Sequence, residues 1–417
     1  MKRIMMIMAL VMMASTAWAQ VSLDVVWTDL SFGGGTTNVA PSVAFNRNRV
    51  IAGEALGNAS GGISVHVKGY NATTGNLAWD DILDGSSVFV DASGNDAFAA
   101  VGPVGGVLIR SYAQRTGDIQ WSTTVALRGA RAFAVRGNRV LVAGNILVDL
   151  GNGLASLNGR LFVLDRATGA ILWSATLDAL PVPAIDSVFL DFDRTGTDLI
   201  VVGQRERLSD SSNTLILRDY RVSDGHLKWE RIEPDRVGSH VELANGFVYV
   251  SGAIDVAPGG GFITAYGLAN GATLWNAIAG ITIPVFTVSD TALFLAVTDP
   301  FIPATSAIQR RNPFTGALIW TVPPAEPMAE VRGIGVVHGY VVVVGSLVPR
   351  FGNQQLVVWV YDEHGNLLFE DKREEAPSAI FLDHAIQGSR IVGVGGLSGL
   401  VGGAFVRMYQ LQTGVQP

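Results

Sequence analysis

The sequence predicts an all-β fold: one eight-bladed β-propeller of four-stranded antiparallel blades, closed where the N-terminal strand completes the last blade. Three observations predict it. A glycine–tryptophan phrase recurs along the whole chain, a glycine-ending apolar strand recurs upstream of it, and the two chain ends carry complementary fragments of one unit.

The phrase is an aromatic or apolar residue, a turn ending in glycine, then an aromatic residue four positions later. Its copies are Tyr70…Gly75…Trp79, Tyr112…Gly117…Trp121, Leu164…Gly169…Trp173, Tyr220…Gly225…Trp229, Tyr266…Gly271…Trp275 and Gly316…Trp320. Gly365…Phe369 substitutes another aromatic, and Tyr409…Gly414 meets the end of the sequence before its aromatic arrives. A glycine at this point of a short hairpin loop supplies the positive φ that a bulged turn requires. The tryptophan that follows is expected to fold back between neighbouring blades, burying its ring while the indole N–H finds a backbone acceptor.

The second register lies upstream. Val50-Ile51-Ala52-Gly53, Ala99-Ala100-Val101-Gly102, Leu141-Val142-Ala143-Gly144, Leu199 to Gly203, Val248 to Gly252, Val341 to Gly345 and Ile391 to Gly395 are apolar strands ending in glycine; the copy at Leu293 to Val297 lacks it. Several are preceded by another apolar stretch and a polar turn, such as Val135-Arg136-Gly137-Asn138. Each unit thus holds four short strands, the content of a propeller blade. At the ends, Val25-Val26-Trp27-Thr28 reads as a tryptophan strand without its unit, and the copy at Tyr409 lacks its last strand. Joining the two closes a ring and removes exposed sheet edges.

Composition bounds the rest. Lys2 and Arg3, the apolar run Ile4 to Met13 and the small residues around Ala17-Trp18-Ala19 read as a signal peptide over residues 1–19, leaving 20–417 as one propeller domain. The run is too short for a spanning helix. Export to the periplasm or outside the cell is the expected localisation. The chain has no cysteine, which excludes disulfides, thiolate metal sites, a cysteine nucleophile and lipid attachment at a cysteine. A net charge of −7 with no basic stripe argues against a nucleic-acid partner.

The sequence resembles the PQQ-like (pyrroloquinoline-quinone type) propeller repeat family, whose blades carry A-x-D-x-x-T-G-x-x-x-W. Thr74-Gly75…Trp79, Thr116-Gly117…Trp121, Thr168-Gly169…Trp173 and Thr315-Gly316…Trp320 match its core; the motif aspartate is present as Asp165 and is replaced by Asn71, Ala113, Arg221, Gly267, Asn312, Tyr361 or Gln410 elsewhere. The resemblance implies two functional branches. Quinone-dependent dehydrogenases bind PQQ and calcium over the central channel, and many use adjacent cysteines. The periplasmic propellers that help assemble outer-membrane β-barrels bind protein partners without a cofactor. This chain resembles the second branch more.

Candidate sites are few. Asp191, Asp193 and Asp198 alternate around Gly196 as oxygen ligands for calcium could, although aspartate and glycine are also ordinary turn residues. Ser42, Ser87, Arg131, Asp186, His240, Glu330, Arg332 and Ser378 sit near the starts of first strands, where they would line a central channel. Trp27, Trp79, Trp121, Trp173, Trp229, Trp275, Trp320 and Phe369, with Gly75, Gly117, Gly169, Gly225, Gly271, Gly316, Gly365 and Gly414, are expected to dock blade on blade. The inter-strand loops Asn145 to Gly159, Glu206 to Asn213 and Asp255 to Gly261 are expected to make partner contacts. No catalytic constellation emerges: no histidine pair has metal spacing and no G-x-S-x-G elbow occurs. The expected function is therefore a monomeric, non-catalytic, cofactor-free scaffold in the cell envelope that binds a protein or envelope component. The alternative is a PQQ- and calcium-dependent oxidoreductase.

Overall fold

The computed structural model describes residues 20–33, 38–58, 60–102, 105–151, 154–176, 187–192, 196–207, 212–255, 259–278, 285–297, 307–324, 329–347, 355–373, 378–398 and 403–414. The expected signal peptide at 1–19 lies outside them. Among the described residues every regular element is a β-strand, and every strand pair is antiparallel.

One repeat shows how the sequence builds its sheet. β2 (Asn38–Asn46), β3 (Arg49–Gly57), β4 (Ile63–Asn71) and β5 (Leu77–Asp84) pair in chain order. β3 is buried almost throughout, because it is covered on both faces, and its residues form a near-continuous apolar run. β5, the outermost strand, alternates between exposed and less exposed positions. The same four-strand order recurs from β6 (Ser87–Ser93) to β9 (Ile119–Val125), β10 (Gly129–Arg136) to β13 (Ile171–Thr176), and β14 (Ser187–Phe192) to β17 (Leu227–Pro234). It continues from β18 (Arg236–Ala244) to β21 (Thr273–Ile278), β22 (Val285–Val288) to β25 (Leu318–Val322), and β26 (Ala329–Val337) to β29 (Leu367–Arg373).

The last repeat draws on both ends of the chain. β30 (Ser378–Gln387), β31 (Arg390–Ser398) and β32 (Gly403–Gly414) pair in order, and β1 (Gln20–Phe32) pairs with β32 from Gln20↔Gly414 to Phe32↔Gly403. A bulge between Val25 and Trp27 shifts the register there. One bridge, Val39 to Gly396, ties β2 to β31. The first strands of successive repeats pack on one another from β2 through β6, β10, β14, β18, β22 and β26 to β30, and β30 packs on β2.

The core lies between blades rather than at one centre. Val43, Val50 and Tyr70 of the first repeat pack with Val392, Val406 and Met408 of the last; Ile51, Val67 and Trp79 pack with Val88, Ala99 and Tyr112 of the second. The tryptophans join these layers by one repeated geometry. Trp79 Nε1 donates to the carbonyl of Gln114 in the next blade at 3.0 Å, and its ring stacks on Tyr112 with centroids 5.2 Å apart. Trp27, Trp121, Trp173, Trp229, Trp275 and Trp320 donate to the carbonyls of Ala72, Arg166, Val222, Leu268, Pro313 and Glu363 at 2.8–3.0 Å, each in the following blade.

Each ring also covers the next blade's turn glycine. At Gly117 the φ is +78° and a Cβ would lie 2.6 Å from Trp79 Cγ, so the position needs glycine for both its backbone and its roof. The turn itself is held by Gly117 N donating to Ala113 O at 2.8 Å, and the same bond recurs from Gly75 to Asn71 and from Gly169 to Asp165. Asp165 Oδ1 accepts the backbone N–H groups of Ala167 and Thr168, while Asn71 and Asn312 accept their counterparts in their own turns. The motif aspartate therefore acts as a backbone acceptor, which an asparagine carbonyl replaces.

Candidate functional site

Two regions bring polar chemistry together. The first is the inner ring of first strands. Asp383 of β30 accepts Val43 N of β2 at 2.9 Å; Ser42 of β2 accepts Val90 N of β6 at 3.1 Å; Asp91 of β6 accepts Val135 N of β10 at 2.7 Å. Glu242 of β18 repeats the contact with Val288 N of β22 at 2.9 Å. Each acceptor thus stitches one blade to the next through a backbone N–H that would otherwise be buried without a partner.

The electrostatics of this ring follow from its enclosure. Burial pushes the Asp383 carboxyl up to about 6, against the Val43 and His384 N–H groups that favour its charge, and Asp91 adds repulsion. Asp91 is raised by burial, with the Arg136 guanidinium 3.1 Å away opposing the rise. Burial pushes the His384 imidazole down to about 4, and His240 adds to the shift. A Cβ on Gly333 would lie 2.1 Å from His384 Cε1, so the ring occupies space that only glycine leaves open. His240 meets Phe286 edge-on at 4.9 Å and lies 3.4 Å from Glu242.

Of the channel-lining candidates, Ser42 and half-buried His240 belong to this inner ring, and Ser42 is buried with its oxygen accepting a backbone N–H. Arg131 and Arg332 are exposed and Ser87 is half-buried. Asp186 lies outside the described residues; Glu330 and Ser378 are placed in β26 and β30, their side chains outside the description. Asp91, Glu242, Asp383 and His384 lie within first strands rather than at their starts, so position near a strand start does not find them. Their signal is a lone carboxylate within an apolar first strand, as in Val88-Phe89-Val90-Asp91 and Ile380-Phe381-Leu382-Asp383, which must find a donor when enclosed.

The second region is the face from which the second and third strands of each blade turn. β11 (Arg139–Gly151) and β12 (Leu154–Asp165) outrun their neighbours. β10 pairs only to Gly129↔Asn145 and β13 only to Arg160↔Thr176, whereas β11 and β12 stay paired from Asn145↔Gly159 to Gly151↔Leu154. Residues 145–151 and 154–159 are therefore a two-stranded ribbon that continues past the blade, where the sequence predicts a loop. The Ile146-Leu147-Val148 run continues strand pairing past the sheet, and Leu147 remains 53% exposed.

Two adjoining clefts of about 430 and 730 Å³ lie at the foot of the ribbon, between the β6–β9 and β10–β13 sheets, and share Arg128. Ser87, Arg128, Arg131 and Leu157 line the smaller; Leu127, Arg128, Ile146, Leu147 and Arg160 line the larger. Arg160 is held by Ser174 Oγ at 3.2 Å and lies 5.0 Å above the Phe162 ring. Of the other two inter-strand loops, residues 208–211 and 256–258 lie outside the described residues.

The aspartates proposed for calcium are only partly described. Asp193 and the side chain of Asp191 lie outside the description. Asp198 is ion-paired with Lys228, whose ammonium is also 3.0 Å from buried Asp219. The Lys228 ammonium thus supplies one positive charge to Asp198 and Asp219 together. Among the described residues no group of three or more histidine, aspartate or glutamate side chains is placed to hold a metal.

Residues 104–282 match the family model described as outer membrane protein assembly factor BamB. No curated protein matches the chain. Among solved structures, BamB from Moraxella catarrhalis superposes with a TM-score of 0.56 at 14% identity, over 92% of this chain and 100% of that one. The Dos1 propeller gives 0.59 at 13% identity, over 93% and 95%. The quinohemoprotein alcohol dehydrogenase ADHIIG from Pseudomonas putida HK5 gives 0.57 at 12% identity, over 94% of this chain and 77% of the enzyme. At these identities the superpositions show the propeller fold alone. The chain is thus similar to the BamB family model over residues 104–282 and shares the propeller fold with both BamB and a quinohemoprotein dehydrogenase.

Proposed function

We propose that this chain is an exported, non-catalytic, eight-bladed propeller that binds protein partners in the cell envelope through the face bearing the β11–β12 ribbon. The carrying observation is the ribbon itself: paired strands that leave the sheet, expose Leu147 and flank two clefts on a rigid frame. The β1–β32 pairing and the packing of β30 on β2 support a ring of eight closed by the N-terminal strand. The match to the BamB model supports a partner-binding role. The enclosed carboxylates Asp91, Glu242 and Asp383 accept backbone N–H groups, which supports a structural use of the inner ring rather than redox chemistry over it.

Site-specific photocrosslinking in intact cells tests the reading. A photoreactive residue at Leu147 should yield one defined protein adduct, and the same probe at Thr74, on a blade turn, should yield none. Purified protein given PQQ and Ca²⁺ should not reduce dye with alcohols or sugars. No adduct at Leu147, or dye reduction that depends on both additions, would overturn the proposal.

A further inference from the structure

We infer that the clefts beneath the ribbon bind an acidic, extended polypeptide segment, with carboxylates on Arg128, Arg131 and Arg160 and apolar side chains on Leu127, Ile146 and Leu147. The inference rests on the scaffold reading and names the chemistry of its partner.

Charge carries the argument. The chain as a whole is acidic, at −7, yet three guanidinium groups converge on one cleft system and no carboxylate is among its described lining residues. Arginines in the neighbouring interfaces are matched: Arg110 with Asp81 at 2.7 Å, Arg166 with Asp96 at 2.8 Å, and Arg136 with Asp91. Arg128, Arg131 and Arg160 have no carboxylate partner among the described residues. Arg160 is already oriented by Ser174 and Phe162, so it offers its fork to a ligand with little further ordering. Arg128 stands where the two clefts meet, so one ligand can engage both.

Shape selects the class of ligand. The clefts are concave, lie between two sheets and are walled by the ribbon, which suits a narrow chain and not a flat bilayer surface. Ile146 rests partly on the core between the blades and Leu147 stands exposed, and both border the larger cleft beside Arg128 and Arg160. An extended segment with alternating acidic and apolar residues matches this order of arginine and aliphatic contacts.

The test uses the full mature chain and a short fluorescein-labelled peptide alternating glutamate and leucine, with its lysine–leucine counterpart as control. Fluorescence anisotropy should show saturable binding of the acidic peptide, about tenfold tighter or more than the basic one, and weakening as salt rises from about 0.05 to about 0.5 M. Arg128→Glu with Arg131→Glu should weaken it by about tenfold or more. Both positions are exposed, so the melting curve should be unchanged; Arg128→Gln with Arg131→Gln should give an intermediate loss. Equal affinity for the two peptides, or unchanged affinity in the charge-reversed protein, would sink the inference. So would phosphatidylglycerol vesicles that bind as well and compete the peptide away, since a lipid surface would then be the ligand. Crosslinking at Leu147 that persists while the acidic peptide fails would leave the scaffold reading standing and remove only the acidic-segment chemistry.

Discussion

Replacing Gly117 by alanine should destabilise the protein mainly through Trp79, one blade away in sequence. The added methyl must accept φ of +78°, which costs about 1–2 kcal/mol for an L-residue. It must also enter space 2.6 Å from Trp79 Cγ and 2.8 Å from Cδ2, an overlap that adds about 1–3 kcal/mol. Trp79→Ala alone removes a side chain that is only 8% exposed, its stacking on Tyr112 and its bond to Gln114 O, for a loss of about 3–5 kcal/mol. In the Trp79→Ala background the overlap disappears and Gly117→Ala should cost only the backbone strain. The cycle should therefore show a coupling of about 1–3 kcal/mol. Equilibrium urea unfolding of the four proteins, followed by far-ultraviolet circular dichroism, measures it. Gly137 is the control: its φ is +58°, nothing lies within 4 Å of its Cβ position, and alanine there should cost the strain alone. An equal cost for Gly117→Ala with and without Trp79 would refute the idea that glycine is needed beneath the indole.

Two further predictions concern charge. Asp383, raised from 3.8 to about 6, contributes stability that is complete below 3.8 and is lost as pH rises through 6; His384, lowered from 6.5 to about 4, contributes stability that is complete above 6.5 and is lost as pH falls through 4. The two slopes oppose each other between pH 4 and 6, each on the order of 1 kcal/mol per pH unit. Asp383→Asn should make the urea midpoint rise with pH across this window, and His384→Gln should make it fall; parallel profiles would contradict the assignment. Beside β1, buried Glu54 lies 2.9 Å from Lys68, which also donates to Ser31 of β1 at 2.6 Å. Lys68→Met should cost about 3–5 kcal/mol in urea unfolding, and Lys68→Met with Glu54→Leu should recover most of it. A double variant as unstable as the single one would show that the charges are not what the site balances.

The readable part of the fold was whatever a few neighbouring residues decide. Thr116-Gly117 announces a bulged turn because only glycine adopts that φ cheaply, and Val341 to Val344 announces a strand covered on both faces because every residue is apolar. Flanking glycine and asparagine make the ribbon read as a loop, while Ile146-Leu147-Val148 carries pairing beyond the blade; strand length depends on a partner, and the partner lies across the hairpin. The candidate sites fared differently by residue. Ser42 and Arg131 were both singled out near strand starts, yet one is a buried acceptor between blades and the other lines a cleft between sheets.

The amino-acid sequence by itself determined the repeat, the four-strand unit, the positions of the tryptophans and glycines, and the complementary ends at Trp27 and Tyr409, because periodicity and turn chemistry are local properties of the chain. Only the tertiary structure decided which residues meet across blades. Trp79 takes the carbonyl of Gln114, Asp383 reaches Val43 from the far end of the chain, and Arg128, Arg131 and Arg160 converge beside the ribbon. Those contacts depend on the angle and stagger at which one sheet packs on the next. That geometry is set by the summed shape of both interfaces, and no single segment encodes it.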